Sequence, residues 1–341
     1  MKLISYVKED FAQVGILVNS RAYDLDTLDP DLPSDIVELL WQGEEGMSAA
    51  KDCDLAIKAG DVDPKMGRAI DELAILAPVP NPTSCRDAYA FRQHVASARK
   101  NRGVDMIPEF DQFPIFYFTN HNAVQGPGEI ECMPDHFQRL DFELEVAAVI
   151  GKPGRNVLAK EAEPYIAGYT IMNDMSARGL QMEEMKLNLG PAKGKDFSTV
   201  IGPWLVTPDE LEEFKCAPAA GHVGHNYNLE MTCKVNGKEV SKGNWNTMHW
   251  TFEEIIERCA YGADIIPGDV IGSGTVGTGC FLELNGTAKR ENPDAQPQWL
   301  QPGDEVEMEI KGLGKLWNKV VKEESDHSIL ALKKMPAEQG N

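Results

Sequence analysis

Three absences narrow the possibilities before any motif is read. Cysteine is sparse and unpatterned: Cys53, Cys85, Cys132, Cys216, Cys233, Cys259 and Cys280 include no C-x-x-C pair, which speaks for reduced thiols and against a zinc–thiolate site. No apolar run approaches the roughly 20 residues that a membrane-spanning helix needs, so no membrane partner is expected. The opening Met1-Lys2-Leu3-Ile4-Ser5-Tyr6 lacks the apolar core of a secretory signal, and a cytoplasmic location is expected. Positive charge is also short, with 33 Lys and Arg against 54 Asp and Glu and a net charge of −21. A nucleic-acid partner would want a basic face, and this chain offers none. Long-period repeats and low-complexity segments are missing too.

What remains is an ordinary globular composition, 42% hydrophobic and 26% charged, in a chain of 341 residues that can bury a sizeable core. Residues 1–78 read as a small N-terminal α+β unit. Ile4–Val7 and Val14–Val18 are strand-like around an Asn19-Ser20-Arg21 turn, and a helix starts near Ser34 or Asp35. Leu73–Ala77 reads as a short strand before the proline-rich crossing Pro78-Val79-Pro80-Asn81-Pro82, a plausible boundary. Residues 79–335 form the larger unit. Asp87–Arg99 reads as helix, with Asp87, Phe91 and His94 along one side. Phe113–Phe118 and Ile166–Asp174 read as strands, Ser176–Leu187 as helix, and Ile201–Val206 as strand. The last third is rich in strands: Leu229–Val235 and Lys238–Val240 flank Asn236-Gly237, a strong hairpin signal. Phe252–Arg258 reads as an amphipathic helix, and Cys280–Leu284 as a short strand. The fold class expected is α+β, strand-rich.

The most distinctive stretch is Asp141-Phe142-Glu143-Leu144-Glu145, followed by Val146-Ala147-Ala148-Val149-Ile150. Alternation predicts a strand with three acids on one face. Like charges so placed repel unless something neutralises them, and a hard divalent cation does so through carboxylate oxygens. A solvated acidic edge strand explains the same pattern, and this stretch alone leaves both readings open. A cation site needs carboxylates from several elements. Glu143 and Glu145 offer a pair, Asp174 ends another strand, and Asp87 stands near a predicted helix start. Taken singly, Asp174 and Asp87 read equally well as helix caps. His222 and His225 form an HxxH pair in a glycine-flanked loop, read as structural rather than metal-binding.

In combination these residues form an ordered series. Asp87 precedes Arg92-Gln93-His94, then come Glu143-x-Glu145 and Asn173-Asp174-x-Ser176-Ala177-Arg178-x-x-Gln181. Gly194-Lys195-x-Phe197, Val235-Asn236-Gly237, Asn246-Thr247, Pro267-Gly268-Asp269-Val270-Ile271, Gly274-Thr275 and Pro302-Gly303-Asp304 follow. This series resembles the fumarylacetoacetate hydrolase family across about residues 80–325. The resemblance implies a mixed β-roll-like catalytic domain behind a small N-terminal domain, and a homodimer. It implies one divalent ion, Mg²⁺ or Ca²⁺ or Mn²⁺, held by Glu143, Glu145, Asp174 and Asp87. It further implies His94 as catalytic base oriented by Glu283, with Arg178, Gln181 and Lys195 at the oxyanion. Tyr89, Tyr117 and Thr275 would contact substrate. Asp141 would then be a supporting partner rather than a ligand.

The chemistry expected is cleavage of a carbon–carbon bond in a 1,3-dicarbonyl acid such as an acylpyruvate or fumarylacetoacetate. Water activated by His94 attacks a carbonyl, and the leaving group is a metal-held enolate. Decarboxylation, tautomerisation or dehydration of a 2-oxo acid are alternatives on the same framework, and a non-catalytic binding protein is a further one. The segment Val276-Gly277-Thr278-Gly279-Cys280 is shorter than the corresponding loop of fumarylacetoacetate hydrolase. Phe118-Thr119-Asn120 also replaces that enzyme's polar run after the tyrosine. The substrate within the family therefore stays open.

Overall fold

A computed structural model describes residues 1–332, so residues 333–335 of the expected second unit lie outside the described residues. The chain is strand-rich α+β. Its main sheet has 11 strands. From one edge they run Arg68–Ala69, Arg21–Asp24, Phe11–Val18, Lys2–Lys8, Thr199–Val206, Ile166–Asp174, Leu144–Ile150, Asp269–Gly272, Ser84–Ala88 and Phe116–Thr119. Val124–Gln125 pairs with Thr199–Val206 off this path. Most pairings are antiparallel, but Asp269–Gly272 and Ser84–Ala88 run parallel. A second sheet of 5 strands holds Lys238–Asn244, Glu230–Val235, Glu305–Ile310, Gly314–Lys322 and Gly128–Cys132. Its hairpin turns at Asn236 and Gly237, at φ 50° and 75°, the left-handed pair that a two-residue loop requires.

The central strand Leu144–Ile150 divides the interior by parity. Leu144, Val146, Ala148 and Ile150 enter the larger core with Met231, Met308 and Leu316 of the second sheet and with the helix Phe252–Ala260. Ala147 and Val149 enter a second core with Met172, Ile201 and Val270, closed by Ile36, Leu39 and Leu40 of the helix Ile36–Trp41 and by Ala50 and Ile57 of Gly43–Ala59. The N-terminal strands continue the main sheet through the Lys2–Val206 pairing.

Several local expectations are corrected. Asp87 lies on the strand Ser84–Ala88, and the helix starts only at Arg92 (Arg92–Asn101), because Asp87 pairs in register with Gly272 and its neighbours join the sheet. Asp141 to Ile150 is not one strand. Leu140–Asp141 pairs with Ser176–Ala177, the chain leaves the ladder at Phe142 and Glu143, and Leu144–Ile150 joins the main sheet. Cys280–Leu284 is not a strand: Phe281–Glu291 is a helix whose first turn is capped from outside by Asp141. The helix expected from Ser176 begins at Arg178. Leu73–Ala77 contributes only an isolated bridge, Ile75 to Tyr6. His222 and His225 are tied to Glu254 at 2.9 Å and Glu253 at 2.6 Å, and neither joins a metal-capable group among the described residues.

Candidate active site

Four adjacent strands bring their ends to one edge of the main sheet. Asp174 closes Ile166–Asp174, and Glu145 stands at the start of the antiparallel Leu144–Ile150, where it faces Met172. Gly272 ends the next strand and lies level with Asp87 on the one after. Parity puts Asp87 on the side of Cys85, Glu145 with Ala147 and Asp174 with Met172, so all three acids share one face. One oxygen from each of Asp87, Glu145 and Asp174 lies within 4.8 Å of the others, and all three residues are buried. Two fully ionised carboxylates at that distance repel by about 3 kcal/mol even at an effective dielectric near 20.

Little compensates this repulsion. Gly274 N–H donates to Asp87 Oδ1 and to Glu145 Oε2, 3.0 Å each. Only glycine permits that approach, because Gly274 has φ +77° and a Cβ there would sit 2.6 Å from the Ala88 carbonyl oxygen. Tyr117 Oη and Lys195 Nζ each donate to Asp174 Oδ2 at 2.5 Å. Glu145 Oε1 and Asp174 Oδ1 are buried without a hydrogen-bond partner. Burial, and then Asp174, push the Asp87 carboxyl up to about 7. Burial and Asp87 hold Glu145 well above the usual carboxylate range. Tyr117 is likewise pushed up, by burial and by the facing acids, and so remains a donor. Three buried carboxylates, two of them with an unpartnered oxygen, and Lys195 bonded to one of them have the donor chemistry of a hard divalent-ion site.

A second cluster adjoins the first through Lys195. That ammonium bonds to Glu143 Oε2 as well as to Asp174. Arg178 Nη2 donates to Glu143 Oε1 at 2.7 Å, Nη1 to Gln181 Oε1 at 2.9 Å, and Nε to Asp141 Oδ2 at 2.9 Å. Burial favours the neutral form of Glu143, but Arg178 and then Lys195 outweigh it and hold the carboxyl below its usual range. The structure thus separates the four expected ligands: Asp87, Glu145 and Asp174 converge, while Glu143 is clamped by two cations.

His94 and Glu283 meet across the site, with His94 Nδ1 2.6 Å from Glu283 Oε2. Glu283 Oε2 also accepts from Thr278 N–H at 3.0 Å. His94 Nε2 has no hydrogen-bond partner among the described residues. One side-chain donor atom from each of His94, Glu143 and Cys280 lies within 4.8 Å of the others, which sets the imidazole beside the clamped glutamate. Tyr89 meets the His94 ring edge-on, centroids 5.9 Å apart. Thr275 is buried directly after Gly274. Tyr117, expected at the substrate, spends its hydroxyl on Asp174.

Some contributors escaped the sequence. The N–H of Thr278 is aimed by a left-handed φ of 71° in a non-glycine residue, which no local pattern announces. Glu184 accepts from the N–H groups of Ala192 at 2.9 Å, Lys193 at 2.6 Å and Gly194 at 3.1 Å, and so pins the loop that delivers Lys195. The glycine in Gly194-Lys195 was the available hint, since a Cβ at Gly194 would meet Gln181 at 2.6 Å.

Fold and site define a strand-rich α+β protein with a buried carboxylate group able to hold a divalent ion and an adjoining His–Glu pair. Residues 83–321 match the family model for the fumarylacetoacetate (FAA) hydrolase C-terminal domain, and the chain belongs to that family. The rat protein named oxaloacetate tautomerase Fahd2a, mitochondrial, is 32% identical over 307 residues, covering 89% of this chain and 85% of the relative. A fumarylacetoacetase of Oryza sativa subsp. japonica is 34% identical over 197 residues, 50% of this chain and 46% of that protein. The solved maleylpyruvate hydrolase of Sphingobium sp. SYK-6, in complex with manganese(II) and pyruvate, has a TM-score of 0.66 at 19% identity, covering 94% of this chain and 99% of that one. It is similar in fold. No helix among the described residues is long and apolar enough to cross a membrane.

Proposed function

We propose that the chain is a divalent-metal-dependent enzyme that interconverts the keto and enol forms of a 2-oxo dicarboxylic acid of the oxaloacetate kind. The observation that carries this reading is the buried His94–Glu283 pair, with His94 Nε2 left unpartnered beside Glu143 and the adjoining carboxylates. The relative named a tautomerase supports it over most of its length. Asp87, Glu145 and Asp174 would hold the ion, with Glu143 beside them; when bound, such an ion polarises the 2-oxo group and steadies negative charge on its oxygen.

The remaining steps fall to side chains. Glu283 accepts a hydrogen bond from His94 Nδ1–H, which fixes the tautomer with the lone pair on Nε2. His94 Nε2 takes a proton from the carbon between the two carbonyls, and that C–H electron pair becomes the C=C bond of an enolate. The negative charge on oxygen faces the cationic wall of Lys195 and Arg178. His94 returns the proton to that oxygen to give the enol, and the reverse sequence restores the ketone. Burial opposes the charged form of Lys195, but Asp174 and then Glu143 outweigh it and raise its affinity for its proton, so it remains a cation through the cycle.

A second reading is supported by the match to the rice fumarylacetoacetase. In it His94 deprotonates water, and an acylpyruvate is cleaved to two carboxylic acids. Assays of oxaloacetate enol–keto exchange and of acylpyruvate cleavage, each with Mg²⁺ or Mn²⁺ and with chelator, separate the two. Acceleration of exchange that chelator abolishes is expected. Release of two acids with no effect on exchange replaces tautomerisation by hydrolysis, and identical rates with and without chelator overturn both. The division near residue 78 and a homodimer belong to the same proposal; limited proteolysis at 78–82 and sedimentation test them.

A further inference from the structure

The side chain of Asp141 is fully buried and both its oxygens are filled from two directions. Oδ1 accepts from Phe281 N–H at 2.7 Å and Phe142 N–H at 3.0 Å. Oδ2 accepts from Leu282 N–H at 2.9 Å and from Arg178 Nε at 2.9 Å. Phe281 and Leu282 are the first two residues of the helix Phe281–Glu291, and the next residue is Glu283. The helix has no cap from its own Cys280, so an acid from a distant segment supplies it. The same acid fixes the guanidinium that clamps Glu143 and Gln181.

We propose that Asp141 is a positioning residue that sets His94 and Arg178 in register with each other. This deepens the function proposed above and rests on it. Rotation of the first helical turn would carry Glu283 away from His94 Nδ1, and release of Arg178 Nε would let the guanidinium swing off Glu143. One carboxylate restrains both motions. The path on the base side runs from Asp141 through Phe281 and Leu282 N–H to Glu283 Oε2 and His94 Nδ1. On the oxyanion side it runs through Arg178 to Glu143 and Lys195. The base-side path does not touch the trio of converging carboxylates, whereas the oxyanion-side path reaches Asp174 through Lys195.

The discriminating variant is Asp141→Asn, which keeps the size and one capping acceptor but presents an NH₂ group where donors already converge. Asp141→Ser is its companion: it retains a helix cap and drops the tie to Arg178. Turnover of the metal-loaded enzyme should fall by roughly 10–100-fold in both, with KM changed by no more than about twofold, as for partners that orient reacting groups. A second readout needs no activity. The proton NMR spectrum of the metal-free protein should contain a strongly hydrogen-bonded His94 Nδ1–H signal, assigned by its loss in His94→Gln, and Asp141→Asn should shift or broaden it. An unchanged kcat with an unchanged His94 signal, accompanied only by a lower Tm, would reduce Asp141 to a structural cap and overturn the proposal. A lower kcat with an intact His94 signal also overturns it, because coupling to the base is then absent. If the wild-type chain turns over none of the 2-oxo acids but the signal responds to Asp141→Asn, the proposed function fails while the positioning role stands.

Discussion

The acids on either side of Leu144 are only a few residues apart in sequence and have opposite surroundings. Asp141 has four donors on its two oxygens. Glu143 has a guanidinium on one oxygen and an ammonium on the other. Glu145 shares one glycine N–H with Asp87, and its second oxygen has no hydrogen-bond partner. Burying a charge is costly unless it is paired: Arg178 and Lys195 outweigh burial and favour the ionised form of Glu143, burial still raises the Asp141 carboxyl despite its four donors, and Glu145 is held well above the usual range. The contrast separates scaffold from site: satisfied carboxylates hold other groups still, and the starved group is where a cation belongs.

The strongest way to test this division acts on the base beside it. His94→Ala should lower turnover by roughly 10²–10⁴-fold, the usual contribution of a positioned acid–base. Divalent affinity measured by calorimetry should be unchanged, since the imidazole lies with the clamped Glu143 and outside the trio. Glu145→Gln attacks the starved side. It should weaken Mn²⁺ binding by at least about tenfold, and raise the Tm of the metal-free protein at alkaline pH, where the buried carboxyl would otherwise have to ionise. A fall in that Tm would show Glu145 to be satisfied after all.

The pH dependence of stability sharpens the same contrast. Burial, reinforced by Asp174, raises the Asp87 carboxyl from 3.8 to about 7. A carboxyl raised on folding binds its proton more tightly in the native state, so its contribution is complete below pH 4 and is lost as pH climbs through about 7. The metal-free chain should therefore lose Tm between about pH 4 and 7 from this source. Saturating Mg²⁺ or Mn²⁺, which neutralises the group, should flatten the curve when followed by thermal denaturation. The smallest effect concerns delivery of the cation. Glu184→Ala removes the acceptor of three backbone N–H groups in the loop before Lys195. Being partly exposed, the loss should cost about 1 kcal/mol, and kcat/KM should fall several-fold through Lys195.

Much of this was legible in the residues themselves. Ile166–Asp174, the Asn236-Gly237 hairpin and the helix from Phe252 follow local rules of alternation, turn chemistry and amphipathicity, and they stand where those rules put them. The ordered series from Asp87 to Pro302 was enough to reveal the family. Errors arose where partners distant in the chain decide. Asp87 looked like a helix residue because helical spacing sets it on one side with Phe91 and His94, yet its pairing with Gly272 draws it into the sheet. Cys280–Leu284 looked like a strand because a short apolar run with one acid in it cannot reveal that Asp141 caps a helix there. The expected grouping of Asp141, Glu143 and Glu145 on one strand face failed because the ladder breaks between them.

The sequence by itself determined which chemistries were possible, because carboxylates, an imidazole, a lysine and an arginine bring their donors and acceptors wherever they are placed. Tertiary structure alone decided which carboxylate is neutralised and which is left starved. That outcome depends on distances of a few ångströms and on burial, set by the register of four neighbouring strands and by one glycine whose backbone N–H can reach two acids at once.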